Sequence, residues 1–212
     1  MTGLRERKKK QTRRRIADVA LRLFTERGFD AVTVNEIAEA ADVAKATLFA
    51  YFPTKESMVL AGVAGDDLAA VVTERASGVS FLEALRAHHR TIAAARIPRE
   101  SLDPLLARVR VIRSSATLSR AAEALFYRQR EALARALAEE FGESVAALMA
   151  AQITASLLVL QEAFFRRLLD GASSGEAGRA LAEEVEIAFD LLRHGLAHAP
   201  ARTTPIDHDE RP

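Results

Sequence analysis

Residues 33–55 read TVNEIAEAADVAKATLFAYFPTK, and their spacing decides the fold. Thr33 followed three positions later by Glu36 is a capping box: the hydroxyl caps the start of a helix while the carboxylate reaches back to the cap. Val34, Ile37, Ala38 and Ala41 then fall at i, i+3, i+4 and i+7, a single apolar stripe about two turns long. Asp42 stands where that helix must stop, and aspartate enters left-handed backbone at lower cost than most residues with a β-carbon. Val43, Leu48 and Phe52 can bury one side of a second short helix, leaving Lys45, Ala46, Thr47 and Tyr51 near the other, before Pro53 and Thr54 end it. Two short helices joined by a tight turn form the helix-turn-helix pattern, whose second helix enters a major groove. An ordinary helical hairpin has the same spacing, so the flanking sequence must decide between them.

The flanking sequence is basic. Through Lys55 there are twelve Lys plus Arg against seven Asp plus Glu, whereas the remaining residues carry eighteen against twenty-two, although the whole chain sums to only +1. Arg5, Arg7, Lys8, Lys9, Lys10, Arg13, Arg14 and Arg15 crowd the first fifteen positions, opposed there only by Glu6. A basic arm beside a helix-turn-helix is the footprint of a phosphate-binding face. Between arm and motif, Ile16, Val19, Ala20, Leu23 and Phe24 recur at helical spacing, predicting a first helix over about 9–27 that Gly28 closes as a left-handed cap with Phe29 folding back.

These residues resemble the N-terminal domain of the TetR family of bacterial transcriptional repressors. The resemblance rests on Phe24, Gly28 and Phe29 closing the first helix, then Thr33, Ile37 and Ala38, then Thr47, Leu48, Phe49, Tyr51, Phe52 and Lys55. It covers about a quarter of the chain. Carried onto this sequence, it implies that Thr33, Thr47, Tyr51 and Lys55 hold phosphates, with Arg13 and the rest of the arm beside them, and that Asn35, Lys45 and Ala46 lie near base edges. The residue types suit those roles: lysine donates to guanine, asparagine pairs with adenine, and an alanine methyl meets a thymine methyl. Three positions depart from the family pattern. Asp42 replaces the usual turn glycine. Ala44 replaces a Ser or Thr cap worth about 1 kcal/mol. Phe49 stands where tyrosine is frequent, which removes one hydroxyl from the candidate DNA-facing set and shifts the expected affinity toward the arginine arm.

Beyond Lys55 the chain reads as helix throughout, giving an all-α fold of about nine helices. Thr54 caps a fourth helix expected to continue to about Ala76. Ser80 and Glu83 form a capping box for a fifth ending near Ile97 and Pro98, and Asp103 followed by Pro104 reads as cap and first position of a sixth. A seventh spans about 118–141 and stops at Gly142. The last two cover 144–170, opening at Ser144 and closing at Asp170 before Gly171, and 175–198, opening at Gly175 and closing at His198. Three units are expected: a basic arm with DNA-binding domain over 1–53, a helical ligand-binding and dimerisation domain over 54–198, and a disordered tail over 199–212. The final two helices are apolar nearly all round, with Leu157, Leu158, Leu160, Phe164, Phe165, Leu168 and Leu169 on the first and Val185, Ile187, Phe189, Leu191, Leu192 and Leu196 on the second. Such helices need a second surface to cover, and the resemblance implies a homodimer made by these two helices from each subunit, whose two-fold symmetry suits a palindromic double-stranded operator.

With 49% hydrophobic residues the chain can bury a real core, and with no cysteine it has neither disulfides nor thiolate chemistry. No uninterrupted apolar run of membrane-spanning length and no secretory leader are evident, so a cytoplasmic protein without a membrane partner is expected. Catalytic motifs are missing: no G-x-S-x-G, no phosphate loop, no H-E-x-x-H. Neither cofactor nor metal is expected. Asp190, His194 and His198 lie on one helix face, but histidines favoured by a helix C-terminus, with Asp190 pairing to His194, account for them.

The resemblance further implies a small-molecule effector pocket in the larger domain. Residues that could line it are His88, His89, Ile92, Leu105, Val109, Phe126, Tyr127, Arg130, Gln152, Ser156 and Phe164, and a mostly apolar site would take a hydrophobic or amphipathic ligand. His88 and His89 are adjacent and so are expected on different sides of their helix. Arg108, Arg110 and Arg113 could receive an anionic head or could simply be solvated. The function expected is a ligand-responsive repressor and not an enzyme; an activator or architectural DNA binder without a ligand, and an enzyme with a vestigial DNA-binding domain, are the alternatives.

Overall fold

A computed structural model describes residues 2–61 and 66–195. Among them there are ten helices and no strand: α1 (Thr2–Arg27), α2 (Val34–Ala40), α3 (Lys45–Tyr51), α4 (Lys55–Leu60), α5 (Leu68–Thr73), α6 (Phe81–Ala94), α7 (Arg99–Ser114), α8 (Ala116–Phe141), α9 (Glu143–Leu169) and α10 (Ser174–His194). The basic arm is therefore part of α1, which runs unbroken from Thr2 instead of starting near Lys9. The expected tail and His198 lie outside the described residues.

Most helix starts follow the capping chemistry of the sequence. Thr33, Thr54, Ser80 and Ser173 each accept a hydrogen bond from the third helical N–H, and in all four the third residue's side chain accepts one from the cap's own N–H. Two expectations fail. The fourth helix does not reach Ala76: it ends at Leu60, and Asp67 opens α5 by accepting from Ala70 N–H at 3.1 Å. Asp103 and Pro104 do not start α7 either; the helix begins at Arg99 and carries Pro104 inside it, leaving the carbonyl one turn back without its usual donor.

Two buried clusters organise the packing. In the first, Ile16, Ala20 and Phe24 of α1 meet Ile37 and Ala38 of α2, Leu48 of α3 and Met58, Val59 and Leu60 of α4, together with Val111, Leu118 and Ala122 from α7 and α8. Packing is thus continuous across the boundary expected at residue 53. Ser115, itself buried, ties the two ends: its hydroxyl donates to Asp30 at 3.2 Å and accepts from Leu118 N–H at 3.3 Å. In the second cluster, Leu85, Leu133, Leu137, Ile153, Val185 and Phe189 bring α6, α8, α9 and α10 together. Gly178 lets α10 press close to α6, since a Cβ there would lie 2.9 Å from the Ala93 carbonyl oxygen. Arg86 and Arg90 of α6 both bind Glu186 of α10, and Arg167 of α9 binds Glu184. These two guanidiniums hold the Glu186 carboxyl at about 2.

By length and composition alone α9 is long and apolar enough to cross a membrane, a property it shares with core helices. Its inward residues Ala146, Ala150, Ile153 and Leu160 pack in the second cluster. The Asp190 carboxylate accepts from Arg86 at 3.0 Å, and His194 Nδ1 meets the Asp190 backbone carbonyl at 3.1 Å.

Candidate nucleic-acid interface and interior cavity

The exposed face of α3 is presented by a short chain of local causes. Ala41 N–H bonds the Ile37 carbonyl at 2.9 Å, Asp42 N–H the Glu39 carbonyl at 3.0 Å and Val43 N–H the Ala38 carbonyl at 3.0 Å, the doubled bonding of a Schellman end. Asp42 takes φ +50°, the left-handed position normally given to glycine. The turn then delivers α3 with Leu48 wholly buried and Phe52 closing the helix beneath it. Lys45, Ala46, Thr47, Phe49 and Ala50 remain exposed, as does Asn35 on α2.

Several residues expected to touch DNA are already engaged within the chain. The Thr33 N–H and hydroxyl both donate to Glu36 Oε2 at 2.7 Å, and these two bonds, with Arg27, lower the Glu36 carboxyl pKa to about 2, while the same hydroxyl accepts from Glu36 N–H. Arg13 donates to the Tyr51 carbonyl at 2.9 Å, and its guanidinium carbon sits 4.6 Å from the Phe52 ring centre, so it fastens the end of α3 to α1. Tyr51 is half-buried. Lys55 Nζ donates to the carbonyls of Phe29 at 2.8 Å and Val32 at 2.9 Å and lies 4.1 Å from the Phe29 ring centre. That geometry makes Lys55 a brace for the α1–α2 loop instead of a free phosphate donor. The side chains of Lys45 and Thr47 make no hydrogen bond or ion pair with other described residues.

As the sequence indicates, Ala44 caps α3 with no side-chain hydrogen bond, although its backbone has the extended geometry of a cap residue. Ala44→Ser is therefore expected to add about 1 kcal/mol, read as a rise of roughly 2–4 °C in the thermal midpoint for a chain of this size; an unchanged midpoint would mean that the α3 amides are satisfied without it.

A cavity of about 350 Å³ lies in the helical body, walled by α5 through α10. Of the residues expected to line it, His89, Ile92, Leu105, Val109, Phe126 and Phe164 do so. His88, Tyr127, Arg130, Gln152 and Ser156 do not. His88 Nε2 instead bonds Asp66 at 2.8 Å, with its ring edge-on to His89 at 5.3 Å, so the two adjacent rings meet. Tyr127 is 56% exposed beneath the Arg130 guanidinium. Gln152 is exposed, and Ser156 opens onto a shallow groove between α9 and α10. The polar wall residues that sequence reasoning missed are Asp66, Gln129, Thr154 and Gln161. His89 Nδ1 meets the Leu85 carbonyl at 2.8 Å, and burial pushes its pKa down, so the neutral ring keeps Nε2 as an acceptor. Of the three candidate arginines only Arg108 reaches the cavity; Arg110 and Arg113 are exposed.

The outer side of α9 and α10 is apolar and uncovered. Leu148 is 65% exposed, Val159 63%, Val145 49% and Ile187 47%, and Val159, Ala163, Ile187 and Leu191 line the shallow groove between the helices.

Residues 16–61, the segment holding this motif, match the family described as bacterial regulatory proteins, tetR family. Over those residues the chain belongs to that family. The chain is 42% identical over 55 residues, 26% of each protein, to KstR, an HTH-type transcriptional repressor of Rhodococcus jostii. It is 28% identical over 193 residues to the transcriptional regulator MftR of Mycobacterium tuberculosis, covering 90% of this chain and 93% of that one. The chain spans only 26% to 41% of the length of the first curated relatives it matches. Among solved structures, Salmonella enterica GusR shares the fold at 18% identity with a TM-score of 0.53, covering 88% of this regulator and 96% of that chain. KstR and MftR are both named for transcriptional control.

Proposed function

We propose that this regulator binds a palindromic double-stranded operator as a homodimer, represses transcription from the cytoplasm, and is released by a small hydrophobic or amphipathic molecule. The observation that carries the reading is a shared pair of helices. α7 and α8 supply Leu105, Val109 and Phe126 to the cavity wall and Val111, Leu118 and Ala122 to the core under α1–α4. A ligand that spreads the cavity therefore pushes on helices that also seat the DNA-facing motif, with Ser115 and Asp30 as a further tie. Asn35, Lys45 and Ala46 face the bases in this reading, Thr47 and the exposed lysines and arginines of α1 hold phosphates, and Phe49 packs beside them. The dimer sets two copies of α3 about 34–36 Å apart, one turn of duplex. By linkage, the ligand weakens DNA binding only by its preference for another spacing, typically about 1–3 kcal/mol. The repressive sign rests on relatives such as KstR.

The apolar face of α9 and α10 is the natural place for the second subunit, through the exposed stripe just described. Leu148→Asp with Val159→Asp is expected to turn a dimer into a monomer in sedimentation analysis. It should also weaken operator binding by at least roughly a hundredfold, because a monomer offers one recognition helix and each recognised base position is worth about 1–3 kcal/mol. A monomeric wild-type protein would defeat the dimer reading. Selection of genomic fragments retained at moderate salt tests the function as a whole: an enriched palindrome supports it, and no enrichment overturns it.

A further inference from the structure

Among the described residues, the half-buried arginines of the helical body are paired, with the exception of Arg108. Arg75 binds Glu140, Arg86 binds Glu186 and Asp190, Arg167 binds Glu184, and Arg193 binds Glu83. Arg108 differs: it projects from α7 into the cavity wall, its buried Nε has no hydrogen-bond partner, and no carboxylate lies within ion-pair distance among the described residues. Its guanidinium makes one long contact, 3.5 Å from the Ala61 carbonyl. Desolvation pushes its pKa down, opposed by the more distant charge of Asp18 on α1. A cation drawn into an apolar wall without a partner is costly, and a mobile anion that completes its hydrogen bonds offsets that cost.

We propose that Arg108 seats the head group of an anionic effector, and that the effector is a monocarboxylate carrying a medium-length apolar chain. The guanidinium fork matches a carboxylate with two parallel hydrogen bonds. Ile92, Leu105, Val109, Phe126, Leu157 and Phe164 offer the chain an apolar bed. The carboxylate in the wall, Asp66, is already bound to His88 Nε2 and so does not compete for Arg108. The seat also touches the switch. Ala61 ends α4, whose Met58, Val59 and Leu60 are buried beneath the DNA-facing helices; a carboxylate that draws the guanidinium toward the cavity releases its hold on that carbonyl.

This inference rests on the cavity being the effector site, and two measurements separate its failure from that of the proposed function. Calorimetry on the purified full chain uses decanoate and 1-decanol as probes. Decanoate is expected to bind at least tenfold more tightly than decanol, and Arg108→Gln to erase that preference. Equal binding of the two probes by the wild-type chain, no binding of decanoate, or an undiminished preference in Arg108→Gln would overturn the anion seat; the wild-type comparison holds even if the variant folds poorly. Gel-shift titration with the selected operator is the second measurement. Decanoate that binds through Arg108 yet leaves the operator complex intact upholds the seat and defeats the effector reading.

Discussion

Lys45→Glu is expected to weaken operator binding by a factor of roughly 30 to 25,000, because a good base contact is worth about 1–3 kcal/mol and a symmetric dimer loses two of them. Charge reversal beside a phosphate backbone acts in the same direction. Lys45 stands at the start of α3, exposed and unpaired, so the fold should not register its loss: surface changes of this kind stay within about 0.5 kcal/mol. Adding Thr47→Ala should weaken binding by a smaller amount that is nearly uniform across sequences, as expected of a phosphate contact. Salt titration separates the roles, since a lysine that neutralises a phosphate lowers the slope of log affinity against log salt by about one when removed, and a base contact shifts sequence preference instead. If the double variant gripped its operator like the wild-type chain, α3 would not be the reading helix.

The fold was legible wherever a local rule acts alone. Capping boxes at Thr33 and Ser80, the cap at Thr54, and glycine stops at Gly28 and Gly142 each take a side-chain cap or positive φ as their residue types demand. Legibility ended where two signals competed. The apolar pattern of 55–76 continues through Asp67, yet that aspartate is itself an N-cap and opens a new helix. At Pro104 the cap-and-proline pattern lost to packing, because the turn before it, with Leu102, lies against the cluster of Leu106, Leu168 and Ala177.

The cavity shows how a correct helix can still yield the wrong residues. Each residue turns the helix by about 100°. Phe126 and Gln129 face the cavity, whereas Tyr127 and Arg130, each one position on, face away from it. On α9 the polar wall residues Thr154 and Gln161 are seven apart, two turns on one face, whereas Gln152 and Ser156 fall on the outer side. The i, i+7 pair of polar residues amid leucines was the available signal. Nothing in the sequence marks Arg108 as the half-buried arginine without an ion pair among the described residues, because pairing depends on carboxylates from other helices.

Lys55→Met should lower the thermal midpoint by roughly 5–15 °C while leaving operator affinity, measured well below the midpoint, unchanged. Methionine keeps the apolar stem but removes the ammonium that serves the Phe29 and Val32 carbonyls, and both residues are at most 2% exposed. Hydrogen bonds to a charged donor are worth about 1.5–3 kcal/mol each, and the cation over the Phe29 ring adds about 0.5–1 kcal/mol. Water reaching the loop recovers part of this, so a net loss of about 2–4 kcal/mol is expected, which sets the shift in midpoint for a chain of this length. A lysine at the first position of a helix opposes the helix dipole, and the carbonyl cradle explains why it is tolerated there. Lys55→Arg should restore part of the stability by keeping the charge and donors. If instead Lys55→Met melted like the wild-type chain and lost operator affinity with a shallower salt slope, the ammonium would belong to the phosphate face that the sequence resemblance implied, and the α1–α2 loop would be held by its phenylalanines alone.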